Sequence, residues 1–166
     1  KNQDRIDELR SRMFARHTVT LRTSFCSRNL RRDFNIASAK MYVYSLNRPY
    51  REKISEALSD LHWQIAILGS DPALLAFGAL DVSWLNGGTF DFVMVSPESA
   101  SMFRALRKLD ELVARLFTAE RLDLITRDQR RALMGPIDMA YAGFKQVAMK
   151  LTNKSIEDLL AETNLA

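Results

Sequence analysis

The sequence predicts an α+β fold that is mostly helical. Two short runs of alternating apolar and polar residues, at 40–46 and 89–95, are typical of β-strands. Most of the remaining chain repeats apolar residues every three or four positions, as amphipathic helices do, and Ser, Thr, Asn, Asp or Pro stand at the starts of those runs. The chain has 166 residues, of which 47% are hydrophobic and 27% charged. This length and composition suit a globular protein with a sizeable core.

Before residue 40 the secondary-structure signals are weak. Residues 3–16 carry a thin apolar stripe and are predicted to be helical. Residues 17–25 alternate weakly, which fits either a short strand or an extended arm. Residues 29–39 show no clear period, so we interpret them as a connection. We therefore expect a basic N-terminal arm over residues 1–39.

The segment KMYVYSL, residues 40–46, has the strongest strand signal in the first half of the chain. Tyr and Val favour the β conformation, and successive side chains of a strand point to opposite faces. One face of this strand would carry Lys40, Tyr42 and Tyr44. Asn47 can cap a following helix, and Pro49 suits its first turn. The pattern predicts a strand that leads directly into a helix.

Two helices are predicted to follow this strand. The first extends to about Leu68, and its apolar residues are spaced four, three, four and three apart, which predicts one buried face. These residues are Ile54, Leu58, Leu61, Ile65 and Leu68. Gly69 is expected to end the helix. A second, short helix capped by Asp71 is expected through about Leu80.

The second half of the chain is predicted to contain a hairpin and then long helices. Asn86-Gly87 lies between two apolar alternations, which is a strong hairpin signal. Ser96 can cap a helix that extends to about residue 119, and Thr126 with Gln129 can form a capping box for the next helix. The polar face of the first helix carries Arg104, Arg107, Lys108, Glu111 and Arg115. A last amphipathic segment is expected from Ser155.

Charge is distributed unevenly along the chain. Residues 1–54 contain 13 Lys and Arg against 5 Asp and Glu, a balance of +8. Residues 55–166 contain 11 against 15, a balance of −4. This asymmetry indicates an anion-binding region attached to a neutral or acidic body, although a solvated basic face has the same composition.

Residues suited to catalysis or metal binding are few. His17, His62 and Cys26 are too few and too scattered for a structural zinc site, and their spacing does not support a nucleophile pair. The sequence has no glycine-rich phosphate-binding motif. We therefore predict that the protein is not an enzyme and uses no metal and no cofactor.

Hydropathy and cysteine content indicate the cellular compartment of the protein. No apolar run approaches the roughly 18 residues that indicate a transmembrane helix. One cysteine excludes an internal disulfide framework and fits a reducing compartment. These features predict a cytoplasmic protein without a membrane partner.

A strand, a capped amphipathic helix and a second helix, as predicted for residues 40–80, are the element order of ribbon–helix–helix proteins. In that fold two chains pair their strands antiparallel, and the ribbon enters the major groove of DNA. We therefore predict a DNA-binding unit over 40–80, followed by a hairpin and helical body over 81–166. A lone strand would leave its amides unpaired, which predicts an obligate homodimer. The expected DNA contacts are Lys40, Tyr42, Tyr44, Arg48, Arg51, Lys53, Arg22, Arg28, Arg31 and Arg32.

Residues 89–95 provide an alternative ribbon, because they also lead into a capped helix and a second helix. The outward face of this strand would carry Thr89, Asp91 and Val93. Two features count against it. The strand is expected to pair within its own hairpin, and phosphate would repel Asp91.

The segment TFDFVMVSPESASMFRALRKLDELVARLFTAERLDLITRDQRRALMGPI, residues 89–137, resembles a family of proteins carried by conjugative plasmids and integrating conjugative elements. The shared features are an apolar strand, a Ser/Thr-Pro cap, a helix with LDELV-like residues and a further helix. AcaB-type transcriptional regulators belong to this family. The resemblance covers about residues 41–150 and implies a dimeric DNA-binding regulator that activates conjugative-transfer genes. Its matching residues, such as Leu109-Asp110 and Leu124-Ile125, look structural and carry no DNA contact with them.

These observations together predict a sequence-specific regulator that binds double-stranded DNA, with RNA polymerase or other transcription factors as further partners. The alternative is a non-catalytic structural or DNA-processing accessory protein of the conjugation machinery. A regulator should prefer one site over random DNA by about 10³ or more. An accessory protein that contacts only phosphates should show little preference.

Overall fold

A computed structural model of the chain describes residues 15–149. The elements are β1 (Ala15–Leu21), α1 (Ser24–Tyr44), α2 (Arg48–Gly69), α3 (Pro72–Ala76), β2 (Gly88–Met94), α4 (Pro97–Arg121) and α5 (Arg127–Met149). The predicted class, α+β and mostly helical, is confirmed. The segment expected from Ser155 lies outside the described residues, and so does the helix expected over 3–16, apart from its last two residues, which belong to β1.

Helix α1 occupies the region where a connection and then a strand were expected. The Thr23 hydroxyl caps it by accepting a hydrogen bond from the backbone N of Cys26 at 3.3 Å. Its buried residues recur at helical spacing and include Cys26, Leu30, Phe34, Ala37 and Met41. The predicted strand at 40–46 is therefore wrong. Val43 is buried on this helix, so packing overrides the β preference of the Tyr and Val residues.

The two strands form an antiparallel ribbon in which Leu21 pairs with Gly88 and Thr18 with Asp91. The hairpin predicted around Asn86-Gly87 is wrong, because β2 pairs with β1 instead of with the residues just before the turn. A Cβ added to Gly87 would collide with the backbone carbonyl of Leu21. This glycine therefore allows the close approach of the end of β1 and does not mark a hairpin turn.

The predictions for α2, α4 and α5 are confirmed. Helix α2 starts after the Asn47 cap, and all five residues of its predicted stripe are buried. Helix α4 follows the Ser96 cap, and Thr126 with Gln129 makes the reciprocal capping box before α5. Helix α3 is shorter than predicted and ends at Ala76.

One apolar core joins the ribbon to α1, α2, α4 and α5. Val19, Leu30 and Phe34 contribute to this core, so residues 15–39 are a strand and a helix and do not form an arm. Residues 40–80 hold the end of α1 together with α2 and α3, and the predicted strand–helix–helix unit is not formed there. No helix within the described part of the chain is both long and apolar enough to cross a bilayer.

Candidate nucleic-acid interface

The outward face of the β1–β2 ribbon is polar and exposed. Thr18 lies opposite Asp91, and Thr20 lies opposite Thr89. Thr18 Oγ1 donates to Asp91 Oδ1 at 3.3 Å, and the hydroxyl oxygens of Thr20 and Thr89 are 3.4 Å apart. Arg16 Nη2 is 3.0 Å from Asp91 Oδ2. The positive charge of Arg16 therefore compensates the carboxylate that would otherwise repel phosphate.

The inward face of the ribbon is fixed by aromatic packing. The Phe92 ring lies 5.2 Å from that of Phe34 on α1 and 5.6 Å from that of Phe103 on α4, measured between centroids. His17 stacks on Phe103 at 5.5 Å. The buried ribbon side chains are Val19, Leu21, Phe92 and Met94. Because two helices hold this face, the polar face is presented on a rigid support.

A buried carboxylate on α4 holds the junction between β1 and α1. Asp110 Oδ2 accepts from the backbone N of Arg22 at 2.9 Å. Asp110 Oδ1 accepts from the backbone N of Thr23 at 2.9 Å and from its hydroxyl at 2.7 Å. Asp110 is only 4% exposed. These three bonds fix the backbone from which the exposed Arg22 side chain projects.

Three predicted arginines lie on the exposed face of α1 next to the ribbon. Arg28, Arg31 and Arg32 line a surface depression together with Phe90 of β2. The guanidinium carbon of Arg31 is 5.7 Å from the centre of the Phe90 ring. Arg22 is at the end of β1, immediately before α1. The structure therefore brings the four predicted arginines of this region to the ribbon.

A charged network centred on the buried Asp33 ties α1 to α5. Asp33 Oδ1 accepts from Arg32 Nε at 2.9 Å. Its Oδ2 accepts from the Tyr141 hydroxyl at 2.7 Å and lies 3.2 Å from Lys145 Nζ. Burial disfavours the charged form of Asp33, but hydrogen bonds from Arg32, Tyr141 and Lys145 outweigh it and lower the pKa of this carboxyl. Burial, followed by the hydrogen bond to Asp33, raises the pKa of Tyr141.

Asp33→Asn is expected to lower the free energy of unfolding at pH 7 by roughly 1–3 kcal/mol, because three donors lose a charged acceptor. Asp33 has a folded-state pKa below its unfolded value. Its contribution is therefore present above the unfolded pKa and is lost as pH falls through the folded one. Urea unfolding between pH 7 and pH 3 should show the variant approaching the wild type in acid. The matched control is Asp60→Asn, an exposed position on α2. A constant difference between Asp33→Asn and wild type at all pH values would contradict this assignment.

Lys40, Tyr42 and Tyr44 lie on the last turns of α1. Lys40 is 1% exposed, and its Nζ donates to the backbone carbonyl of Met149 at 3.2 Å. Burial lowers the pKa of Lys40. The Tyr44 ring packs 5.0 Å from that of Tyr50. A groove-facing strand carrying these residues is not formed, and the prediction that they face DNA together on one is wrong.

Arg48, Arg51 and Lys53 lie in the first turns of α2. Arg48 Nε is 3.6 Å from Glu52 Oε1 in an exposed pair. Arg51 Nε donates to the buried Glu98 Oε1 at 3.1 Å, which links the first turns of α2 and α4. Lys53 is exposed. With no strand before this helix, these residues do not flank a ribbon formed by residues 40–46, and a DNA contact by them stays a prediction.

The structure adds three arginines to the surface near the ribbon. Arg16 lies on β1, and Arg107 and Arg115 line a groove beside Thr18 and Thr20. Arg115 Nη2 also donates to the carbonyls of Leu74 and Gly78 at 2.9 and 3.0 Å, which holds the connection after α3. The helical pattern predicted the polar face that carries Arg107 and Arg115. No feature of the neighbouring sequence indicated that this face lies beside β1.

The described residues show no arrangement suited to metal binding. Within residues 15–149, no group of three or more His, Cys, Asp or Glu is placed to hold a metal ion. Cys26 is buried, and burial raises the pKa of its thiol, which disfavours the reactive thiolate. His62 Nε2 lies 2.9 Å from Ser101 Oγ, and burial lowers the pKa of this histidine. The absence of enzymatic activity stays a prediction.

The described chain is a mostly helical α+β domain whose antiparallel ribbon packs on long helices. A crystal structure of selenomethionine-containing AcaB from uropathogenic E. coli has a similar fold, with a TM-score of 0.60 and 17% sequence identity over 81% of this chain and 75% of that chain. The likeness concerns the fold, and at that level it agrees with the resemblance of residues 89–137. No protein-family model and no curated protein matches the chain.

Proposed function

We propose that the protein regulates transcription by binding double-stranded DNA sequence-specifically, with the outward face of the β1–β2 ribbon in the major groove. The observation that carries this proposal is the exposed row of Arg16, Thr18, Thr20, Thr89 and Asp91, in which Arg16 compensates the charge of Asp91, on a ribbon whose other face packs on the helices. The major groove, about 12 Å wide, admits a two-stranded ribbon. Arginine and threonine side chains form hydrogen bonds with base edges there.

The arginines next to the ribbon supply the second part of the interface. Arg22, Arg28, Arg31 and Arg32 are exposed at the end of β1 and along α1. Positive side chains that flank a groove-binding element contact the phosphates and set its register. This part of the interface supplies affinity that depends on salt, because neutralised phosphates release their counterions. The ribbon supplies the contacts with base edges that determine sequence specificity.

The resemblance to AcaB-type regulators supports a narrower proposal, in which the protein activates conjugative-transfer genes and contacts RNA polymerase or another transcription factor. Homodimerisation was predicted because one strand would lack a partner, and that reason is wrong, since residues 40–44 are helical and β1 pairs with β2 within one chain. Light scattering at micromolar concentration measures the oligomeric state. The alternative function is that of a non-catalytic accessory protein of the conjugation machinery.

Arg28→Ala and Arg31→Ala are each expected to weaken binding to the preferred duplex and to random duplex by a similar factor. Each loses a phosphate contact, so the slope of log affinity against log salt should fall by about one unit per substitution. Fluorescence anisotropy with a labelled duplex, at several salt concentrations, measures both quantities. Duplexes should come from selection out of a random pool, because the preferred site is unknown.

Arg131→Ala is the matched control. Arg131 is exposed on α5, next to Arg130, which pairs with Glu120. Glu120 lies about 15 Å beyond Asp110 along α4, away from the ribbon. Affinity that does not change with salt, or equal losses for all three variants, would rule out this interface. Salt-dependent binding without any preference for a selected site would favour the accessory protein.

A further inference from the structure

The described chain contains two strand–helix–helix units in succession. The first is β1, α1 and α2, and the second is β2, α4 and α5. The ends of the strands, the capping residues and the starts of the first helices are each separated by 73 residues. These pairs are Leu21 and Met94, Thr23 and Ser96, and Ser24 and Pro97. The two units therefore share the length of the connection between the strand and its first helix.

The same offset superimposes the buried faces of the first helices. Of the ten buried residues of α1, eight have a buried counterpart 73 residues later in α4. Examples are Leu30 with Phe103 and Met41 with Ala114. Any helix of a bundle has a buried face, but here the phase agrees under the offset already set by the strands and caps. The two helices therefore have equivalent orientations towards the core.

The register of the ribbon has the symmetry that two equivalent units require. Thr18 pairs with Asp91, which lies 73 residues later and therefore occupies the equivalent position in the second unit. A twofold axis through this pair exchanges the pair Arg16–Val93 with the pair Thr20–Thr89. An isologous interface has this property, because residue i contacts j where j contacts i.

The helix contacts follow the same axis. Helix α1 packs on α4, and α2 packs on α5, so equivalent helices contact each other. Helix α1 also packs on α5, and α2 on α4, which are contacts that the axis exchanges. Contacts between the two helices of one unit are sparser than those between units. The units are thus interleaved, as the two subunits of an intertwined dimer are.

We propose that one chain is a fused pseudodimer that presents a complete ribbon, and that this ribbon reads a non-palindromic DNA site. The inference rests on the proposed function. A ribbon made by two identical chains presents the same side chains to both half-sites, which therefore mirror each other. In this chain the equivalent outward positions differ in chemistry. They are Arg16 and Thr89, Thr18 and Asp91, and Thr20 and Val93.

These differences assign a different base chemistry to each half of the site. On one side of the axis the ribbon presents Thr20 beside Thr89, and both side chains form hydrogen bonds with base edges. On the other side it presents Arg16, which also forms such bonds, beside Val93, the counterpart of Thr20, which can contact only an apolar group such as the thymine methyl. The preferred site should consequently have a direction, and the protein should bind it in one orientation.

The test combines selection of binding sites with measurement of stoichiometry. The purified full chain selects duplexes from a random pool, and native mass spectrometry counts the chains on one selected duplex. We expect a non-palindromic motif and one chain for each motif. A palindromic motif occupied by two chains would overturn the fused-ribbon inference and leave DNA binding intact. No selection and no duplex binding at low salt would overturn the proposed function and this inference together.

Two substitutions on the outward face of the ribbon test the assignment of the half-sites. Thr20→Val and Val93→Thr each convert one position to the residue of its counterpart. Each should change base preference by roughly fivefold or more at one position of the motif. The two affected positions should lie on opposite sides of its centre. If either substitution changes both halves equally, the ribbon is shared between identical chains and the inference is wrong. Urea unfolding confirms that each variant is folded before the binding comparison.

Discussion

Asp110→Ala is expected to lower the free energy of unfolding by about 3 kcal/mol and to weaken DNA binding. The variant leaves the backbone N–H groups of Arg22 and Thr23, and the Thr23 hydroxyl, without the acceptor they share. A buried donor that loses its partner costs roughly 1–3 kcal/mol. Urea denaturation followed by circular dichroism measures the stability. Because the same bonds fix the start of α1, the arginines near the ribbon should also lose their fixed positions.

Asp110→Asn and Glu111→Ala are the controls for this prediction. The asparagine keeps the volume and one acceptor oxygen, so an intermediate loss of stability is expected. Glu111 is the next residue along α4, is exposed and pairs only with Lys108 among the ion pairs described here. Its removal should change stability by about 0.5 kcal/mol or less. A loss below about 1 kcal/mol for Asp110→Ala would show that water replaces the carboxylate and that Asp110 does not anchor the junction.

Phe34→Ala is expected to have the largest effect on stability, with a loss of about 3–5 kcal/mol. Phe34 is 1% exposed, and its ring makes edge contacts with Phe92 at 5.2 Å and Phe103 at 6.3 Å. Truncation removes the aromatic support of β2 and leaves a cavity between α1, α4 and the ribbon. The midpoint of urea unfolding measures this loss.

Phe34→Leu and Ile36→Ala are the controls for Phe34→Ala. Leucine refills part of the cavity, so Phe34→Leu should be clearly less destabilising than the alanine variant. Ile36 is on the same helix but 37% exposed, so Ile36→Ala should cost less than Phe34→Ala. If Phe34→Ala loses no more than Ile36→Ala, the aromatic cluster does not hold the ribbon on the helices.

Helices α2, α4 and α5 could be predicted because their signals are local. Asn47, Ser96 and the pair Thr126 and Gln129 are caps that form hydrogen bonds within three residues of themselves. The stripe from Ile54 to Leu68 has a period that one helix face explains. For the same reason, the alternation in 89–95 correctly separated outward Thr89 from inward Phe92, whereas that in 17–25 was compatible with either a strand or an extended arm.

Helix α1 was not predicted because two local signals conflict. Tyr and Val near residue 43 favour a strand in isolation. The spacing of Cys26, Leu30, Phe34, Ala37 and Met41 favours a helix, but it spans charged and polar residues that obscure the period. This stripe packs on α4 and α5, and that packing makes the segment a helix and not a strand. Burial of a whole helix face outweighs the strand propensity of a few residues.

The sequence by itself determined the fold class, the capped helices α2, α4 and α5, the concentration of positive charge before residue 55 and the outward face of β2. Only the tertiary structure decided that β1 pairs with β2, that Arg16 neutralises Asp91, and that Asp110 holds the end of β1. Caps and periodicity act between neighbours along the chain, so one sequence displays them. Strand pairing and the Asp110 contact join residues 67 or more positions apart, and their free energy exists only after the helices have packed on a common core.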